Sequence, residues 1–191
     1  MEETEPLIHC TNPSHVIRED LEEPLLVAKT CYHIAMQDFE MTLAEIERIN
    51  TEKRLSYSLI ILPSAKPAHH NLRAILKVVR HSPYLRALSL KHCHLPRGER
   101  GAWPRLARAL STNTALEEIS CANTSILQSE LQLLLESLEH HPSLQLLDFQ
   151  KVKFMENDQH EIARGNLELF LRLSKHSLFL RRIYFSHDNP L

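Results

Sequence analysis

The chain has 191 residues, enough for one domain with a sizeable core. Apolar residues make up 43% and charged residues 24%, with a formal net charge of −2; this balance suits a globular protein and lacks the basic excess that nucleic-acid and membrane-surface binding usually need. No apolar run approaches the length of a membrane span, and residues 1–5 are acidic, without the charged-then-apolar pattern of a secretory signal.

Residues 1–25 are acidic and contain Pro6, Pro13 and Pro24. They read either as a leader or as a cap, with Val16, Ile17, Leu21, Leu25 and Leu26 able to cover the exposed end of a stacked domain. From residue 26 to residue 191 one frame recurs. Apolar side chains stand at its first, fourth, sixth and eleventh positions, and a small polar group at its ninth. Cys31, Ile34, Met36, Phe39 and Met41 make the weakest copy, with Phe at the ninth position; Leu43, Ile46 and Ile49 then suggest a helix. Tyr57, Ile60 and Leu62 open a second copy, and Leu72, Ile75, Leu76 and Val79 follow the i, i+3, i+4, i+7 spacing of a helical stripe. The third copy, Leu85, Leu88, Leu90, Cys93 and Leu95, fills every position. The stretch from Leu95 to Trp103 holds Gly98 and Gly101, two of the three glycines, and reads as a loop before a helix striped by Trp103, Leu106, Ala107 and Leu110. Leu116, Ile119, Cys121, Thr124 and Ile126 form the fourth copy, followed by a helical stripe of Leu131, Leu134, Leu135 and Leu138. Leu144, Leu147, Phe149, Val152 and Phe154 form the fifth. Residues 155–166 are polar and read as a loop insertion before a helix carrying Leu167, Phe170, Leu171 and Leu173. Leu180, Ile183 and Phe185 open a sixth copy; either its strand closes the stack or the natural chain runs on.

Helix stop signals fall at His81-Ser82-Pro83, Asn113-Thr114, His141-Pro142 and Lys175-His176-Ser177. The frame starts at residues 31, 57, 85, 116, 144 and 180, so its steps are uneven, as insertions in loops on one face would make them. Written out, the frame is L-x-x-L-x-L-x-x-N/C-x-L with a helical stripe between copies. It resembles the leucine-rich-repeat family, most closely the ribonuclease-inhibitor-like class with helical backs. The resemblance covers about residues 26–191 and is best over 85–154. It implies an α/β solenoid of about six strand–helix repeats, with a curved parallel sheet on the concave side and helices on the convex side. One such unit cannot bury its own apolar stripe, whereas a stack can. An unrelated α/β layer protein with parallel strands is the alternative; it leaves unexplained why Cys93 and Thr124 share a frame position.

Side chains alternate along a strand, so frame positions three, five and seven point away from the core. In the family they line the concave sheet. The candidate partner-binding residues are therefore Ser89, Lys91, Glu118, Ser120, Asp148, Gln150, Arg182 and Tyr184, with His92 and Asn123 at the next frame position. Arg182 and Tyr184 are of types enriched at binding hot spots, and Arg181 with Arg182 suits an acidic partner through paired hydrogen bonds. Leu59 and Ile61 fall on the same face under this frame, as core beneath a folded-back cap or as an exposed apolar patch.

Residues for chemistry are harder to assemble. His92-Cys93-His94 suggests a metal cluster, but alternation sends neighbouring side chains in opposite directions and no second ligand pair stands at zinc-like spacing. There is no nucleophile elbow, no HExxH and no glycine-rich phosphate loop. The four cysteines, Cys10, Cys31, Cys93 and Cys121, form no CxxC pair and read as reduced, mostly buried thiols of a cytoplasmic protein. No catalytic residue, metal or cofactor is expected. The expected function is a non-catalytic interaction module, monomeric when free, that binds and inhibits or regulates another protein through its concave face, with neither nucleic acid nor membrane as partner. By resemblance, small solitary repeat proteins of this kind include effectors that intracellular bacterial pathogens deliver into host cells by non-classical secretion, some of them regulating another effector. The alternative is a substrate-recognition adaptor of a ubiquitin ligase complex, with residues 1–30 as the recruiting element. A third reading, an enzyme with its site on the loops, requires a buried Cys/His or carboxylate pair in a pocket.

Overall fold

The computed structural model describes residues 32–36, 39–61, 69–95, 101–154, 159–177 and 179–186. The leader or cap expected over residues 1–25 lies outside them. In chain order the elements are β1 (Tyr32–Met36), α1 (Phe39–Arg48) with a π-turn (Ile49–Lys53), β2 (Tyr57–Ile61), α2 (His69–His81), β3 (Leu85–Ser89), α3 (Ala102–Leu110), β4 (Glu118–Ser120), β5 (Ser125–Ile126), α4 (Gln128–Leu138), β6 (Leu146–Gln150), β7 (Lys153–Phe154), α5 (Gln159–His176) and β8 (Arg182–Ser186). Six strands form one sheet in the order β1-β2-β3-β4-β6-β8, and every neighbouring pair is parallel. β5 and β7 form a separate two-stranded parallel sheet. The protein is therefore mixed α/β, with a helix between successive strands of the main sheet and each helix packed on the next.

One row of side chains organises the core. Ile34, Leu59, Leu88, Ile119, Leu147 and Ile183 are paired strand to strand across the whole sheet. They pack against the helical stripes, including Leu72, Ile75 and Val79 of α2, Leu106 and Leu110 of α3, and Leu131, Leu134 and Leu138 of α4. Trp103 is fully buried at the start of α3, and its indole N–H donates to the Ser125 carbonyl at 3.2 Å, tying that helix to β5.

Three sequence expectations are corrected. Tyr57 does pair with Leu85, but an irregularity between Tyr57 and Ser58 then aligns Ser58 with Ala87 and Leu59 with Leu88. Slipping a strand by one residue exchanges its faces. Leu59 and Ile61 therefore belong to the core, while Ser58 and Ile60 take the other face. In the first copy Phe39 opens α1 and Met41 lies inside it, so no turn follows β1 at those positions. The insertion at 155–166 is largely helix, because α5 begins at Gln159; its stripe buries Phe170 and Leu173, while Leu171 is exposed.

The helix stop signals turn out to be a buried polar row. Ser82, Asn113, His141 and Ser177 each stand six residues before a member of the central row, and each is buried. Each backbone N–H donates back into the preceding helix, to Val78, Leu110, Leu138 and Leu173 at 2.9–3.1 Å. The Tyr57 hydroxyl donates to Ser82 Oγ at 2.9 Å, and Ser82 Oγ donates to Asn50 Oδ1 at 2.8 Å. Burial pushes the His141 pKa down to about 4, against the opposing pull of the Asn113 carbonyl. The unfolded ring, near 6.5, takes up a proton that the folded ring refuses between those two values. Stability is thus complete above about pH 6.5 and falls as pH drops toward 4; between pH 7 and pH 5 this residue is expected to remove about 2 kcal/mol. Urea unfolding at the two pH values checks it, since a His141→Gln variant should lose that part of the slope. An identical slope in the variant would contradict the assignment.

Candidate functional site

Frame positions three, five and seven lie opposite the helices in every described strand except β2, where the slipped register puts Ser58 and Ile60 there instead. Across the sheet Ala35, Ile60, Ser89, Ser120, Asp148 and Tyr184 align as one row, and Ser58, Ala87, Glu118, Leu146 and Arg182 as the next. The ladder continues past the strand ends: Leu90 N–H donates to the Ser120 carbonyl, Cys121 to Asp148, His92 to Ala122 and Asn123 to Gln150, at 2.7–3.0 Å. This register brings Lys91, Ala122 and Gln150 to the same level.

The face is not uniformly open, which corrects four of the ten candidates. Ser89, Glu118, Ser120 and Asp148 are buried, Glu118 and Ser120 completely. Strands about 4.8 Å apart bring neighbouring side chains into contact, and polar groups on such a row satisfy one another. Ser120 Oγ donates to Asp148 Oδ2 at 2.7 Å, and Asp148 Oδ1 accepts the Gln150 N–H at 3.1 Å. Lys91 Nζ reaches 3.7 Å from Asp148 Oδ2 from two strands away, with only the small Ala122 at its level on the strand between. Asp148 is thus the centre of a charged, hydrogen-bonded knot that stiffens the middle of the sheet.

The open part lies at the rim and at the β8 end. Arg182 and Tyr184 are exposed, Tyr184 at 38%, and Arg181 beside them is exposed too. His92 is exposed, and Lys91, Asn123 and Gln150 are half-buried. Phe179, half-exposed, precedes β8. His92, Asn123 and Lys151 share frame position eight, and all three have left-handed backbone, with φ of 60°, 56° and 54°. Asn tolerates this conformation, whereas His and Lys accept it at a cost of about 1 kcal/mol each. The repeated kink turns the chain out of the sheet and places these three side chains along one rim.

The ninth position closes the turn, as the frame implies. Thr124 Oγ1 donates to the Cys121 carbonyl at 2.6 Å, and Cys93 Sγ donates to the Ile61 carbonyl of β2 at 3.2 Å. Val152 is buried there without a polar atom to offer. Burial pushes the Cys93 thiol up to about 12, and Cys121 rises further still, through burial first and then the neighbouring Asp148 and Cys93. Neither thiol is a nucleophile near neutral pH. His92 and His94 are exposed while Cys93 between them is buried, so the three do not converge. Among the described residues no group of three or more His, Cys, Asp or Glu is placed to hold a metal ion, and no helix is long and apolar enough to cross a membrane.

No family model matches the chain, and no curated protein matches it in sequence. Among solved structures it is similar to actin-binding site 2 of leiomodin-1, with a TM-score of 0.55 and 10% identity, covering 87% of this chain and 82% of that one. At that identity the likeness is one of fold, a mixed α/β arrangement. The tropomodulin C-terminal domain of Caenorhabditis elegans is matched with a TM-score of 0.41 and 16% identity, covering 62% of this chain and 84% of that one.

Proposed function

We propose that the chain is a leucine-rich-repeat solenoid of the ribonuclease-inhibitor-like class, and that it binds another protein through the β8 end of its concave sheet. The observation that carries this reading is the pair Arg182 and Tyr184, both exposed and two residues apart on β8, opposite Leu146 and Asp148 of β6. Arg and Tyr dominate binding hot spots because each combines a large contact area with directional hydrogen bonding. The Lys91–Ser120–Asp148 knot, with Ser120 and Asp148 buried, supports the role by holding the sheet beneath them rigid. The leiomodin-1 domain of similar fold is described as an actin-binding site, which supports a protein partner for this chain. A non-catalytic role accords with two thiols that burial holds protonated. The finer role is regulation or inhibition of the partner, in the manner of a delivered bacterial effector acting on another effector or on a host protein.

Affinity capture with the immobilised full chain tests the surface. A partner retained by the wild type is expected to bind an Arg182→Glu, Tyr184→Ala double variant about a hundredfold more weakly, since two losses of about 1.4 kcal/mol each reach that factor. Equal retention by both proteins would remove this surface from consideration.

A further inference from the structure

Helices α2 and α3 pack side by side in the helix layer, on the other side of the sheet from Arg182 and Tyr184. Between them runs a groove of about 1050 Å³. Arg73, Lys77 and Arg80 of α2 line one wall, and Arg105 and Arg108 of α3 the other; no Asp or Glu among the described residues lines it. The spacing i, i+4, i+7 on α2 and i, i+3 on α3 gathers each set on one helical face, away from the buried stripe. All five side chains are exposed. None lies within ion-pair distance of a carboxylate of the described residues, whereas Arg48, Lys53, Arg86, Lys91 and Arg172 all do. Like charges at these spacings repel and weaken a helix. Five of them are nevertheless concentrated on one groove of a chain whose net charge is −2.

We infer that this groove docks an acidic peptide segment of a protein partner, as a second surface separate from the concave one. Four of the five cations are arginines, whose planar forks grip carboxylates in pairs. Ala74, Leu76 and Ala109 supply an apolar strip between the charged walls, which suits a segment carrying apolar side chains among its carboxylates. No Phe, Tyr or Trp among the described residues lines it, so it offers no platform of that kind on which the bases of a single-stranded nucleic acid would stack.

The test is an anisotropy titration of the full chain against a short fluorescent peptide of alternating glutamate and leucine. Saturable binding is expected, weakening roughly tenfold or more in an Arg73→Glu, Arg108→Glu variant. These residues are exposed, so circular dichroism should show the fold of the variant intact. Lys175→Glu, which reverses an exposed cation of α5 outside the groove, should leave the affinity unchanged. A peptide with glutamine in place of glutamate should not bind. The inference is overturned by the absence of saturable binding or by equal affinity in the charge-reversed variant. It is equally overturned if oligouridylate or phosphatidylserine vesicles engage these arginines in preference to the peptide.

Discussion

An Asn113→Ala variant is expected to lose about 4 kcal/mol of folding stability, because the substitution leaves several backbone groups buried without partners. Asn113 is buried where α3 turns toward β4. Its side-chain amide donates to the carbonyls of Val79, at 2.6 Å, in the last turn of α2, and of Ser82, at 3.3 Å, just past its end. Its Oδ1 accepts the N–H groups of Ala115 and Leu116, both at 2.8 Å, which lead into the next strand. One side chain thus joins two successive strand–helix units through four bonds, and alanine replaces none of them. An Asn113→Asp variant separates hydrogen bonding from shape. Its carboxylate still accepts from Ala115 and Leu116 but confronts two carbonyl oxygens, so it should be comparably unstable at pH 7 and recover as acid protonates it into a donor. Urea unfolding monitored by circular dichroism reads both. A loss below about 1 kcal/mol for the alanine variant, the net value of one ordinary hydrogen bond, would contradict the joint.

The second large effect is expected at Leu88, fully buried in the middle of the central row and flanked by Leu59 and Ile119. Leu88→Ala should cost about 3–4 kcal/mol, the sum of lost transfer energy and the cavity that rigid neighbours cannot fill. The control is Leu133→Ala on α4. Leu133 is 47% exposed and breaks no row, so its loss should stay within about 0.5 kcal/mol. The two substitutions remove the same atoms, and only the position in the stack differs. Similar losses at the two sites would mean that Leu88 does not occupy the centre of a packed sheet.

The readable strands are those in which a polar residue separates the apolar ones. Leu88-Ser89-Leu90 and Ile119-Ser120-Cys121 declare their phase, and the structure aligns them as the frame requires. In β2 the run Leu59-Ile60-Ile61 is apolar throughout, so alternation cannot phase it; hydrogen bonding to β3 does. The start of α5 reads as loop because residues 159–166 are mostly polar, although Glu161, Ala163 and Arg164 are good helix formers. The candidate surface is legible as a face but not as an exposure. Whether Ser120 and Asp148 are open or locked depends on residues far apart in sequence meeting across strands, which a strand pattern does not contain. The basic groove is hidden for the same reason, since its two walls come from helices separated by β3.

Which side chains each strand turns toward the helices is the central question, because that phase decides which residues remain for a partner. Nuclear Overhauser contacts between isotope-labelled leucine and isoleucine methyl groups measure it directly. Neighbouring strands lie about 4.8 Å apart, so a continuous chain of contacts is expected from Leu59 to Leu88, Ile119 and Leu147. A contact from Ile60 in place of Leu59 to Leu88, or a break between Leu88 and Ile119, would contradict it.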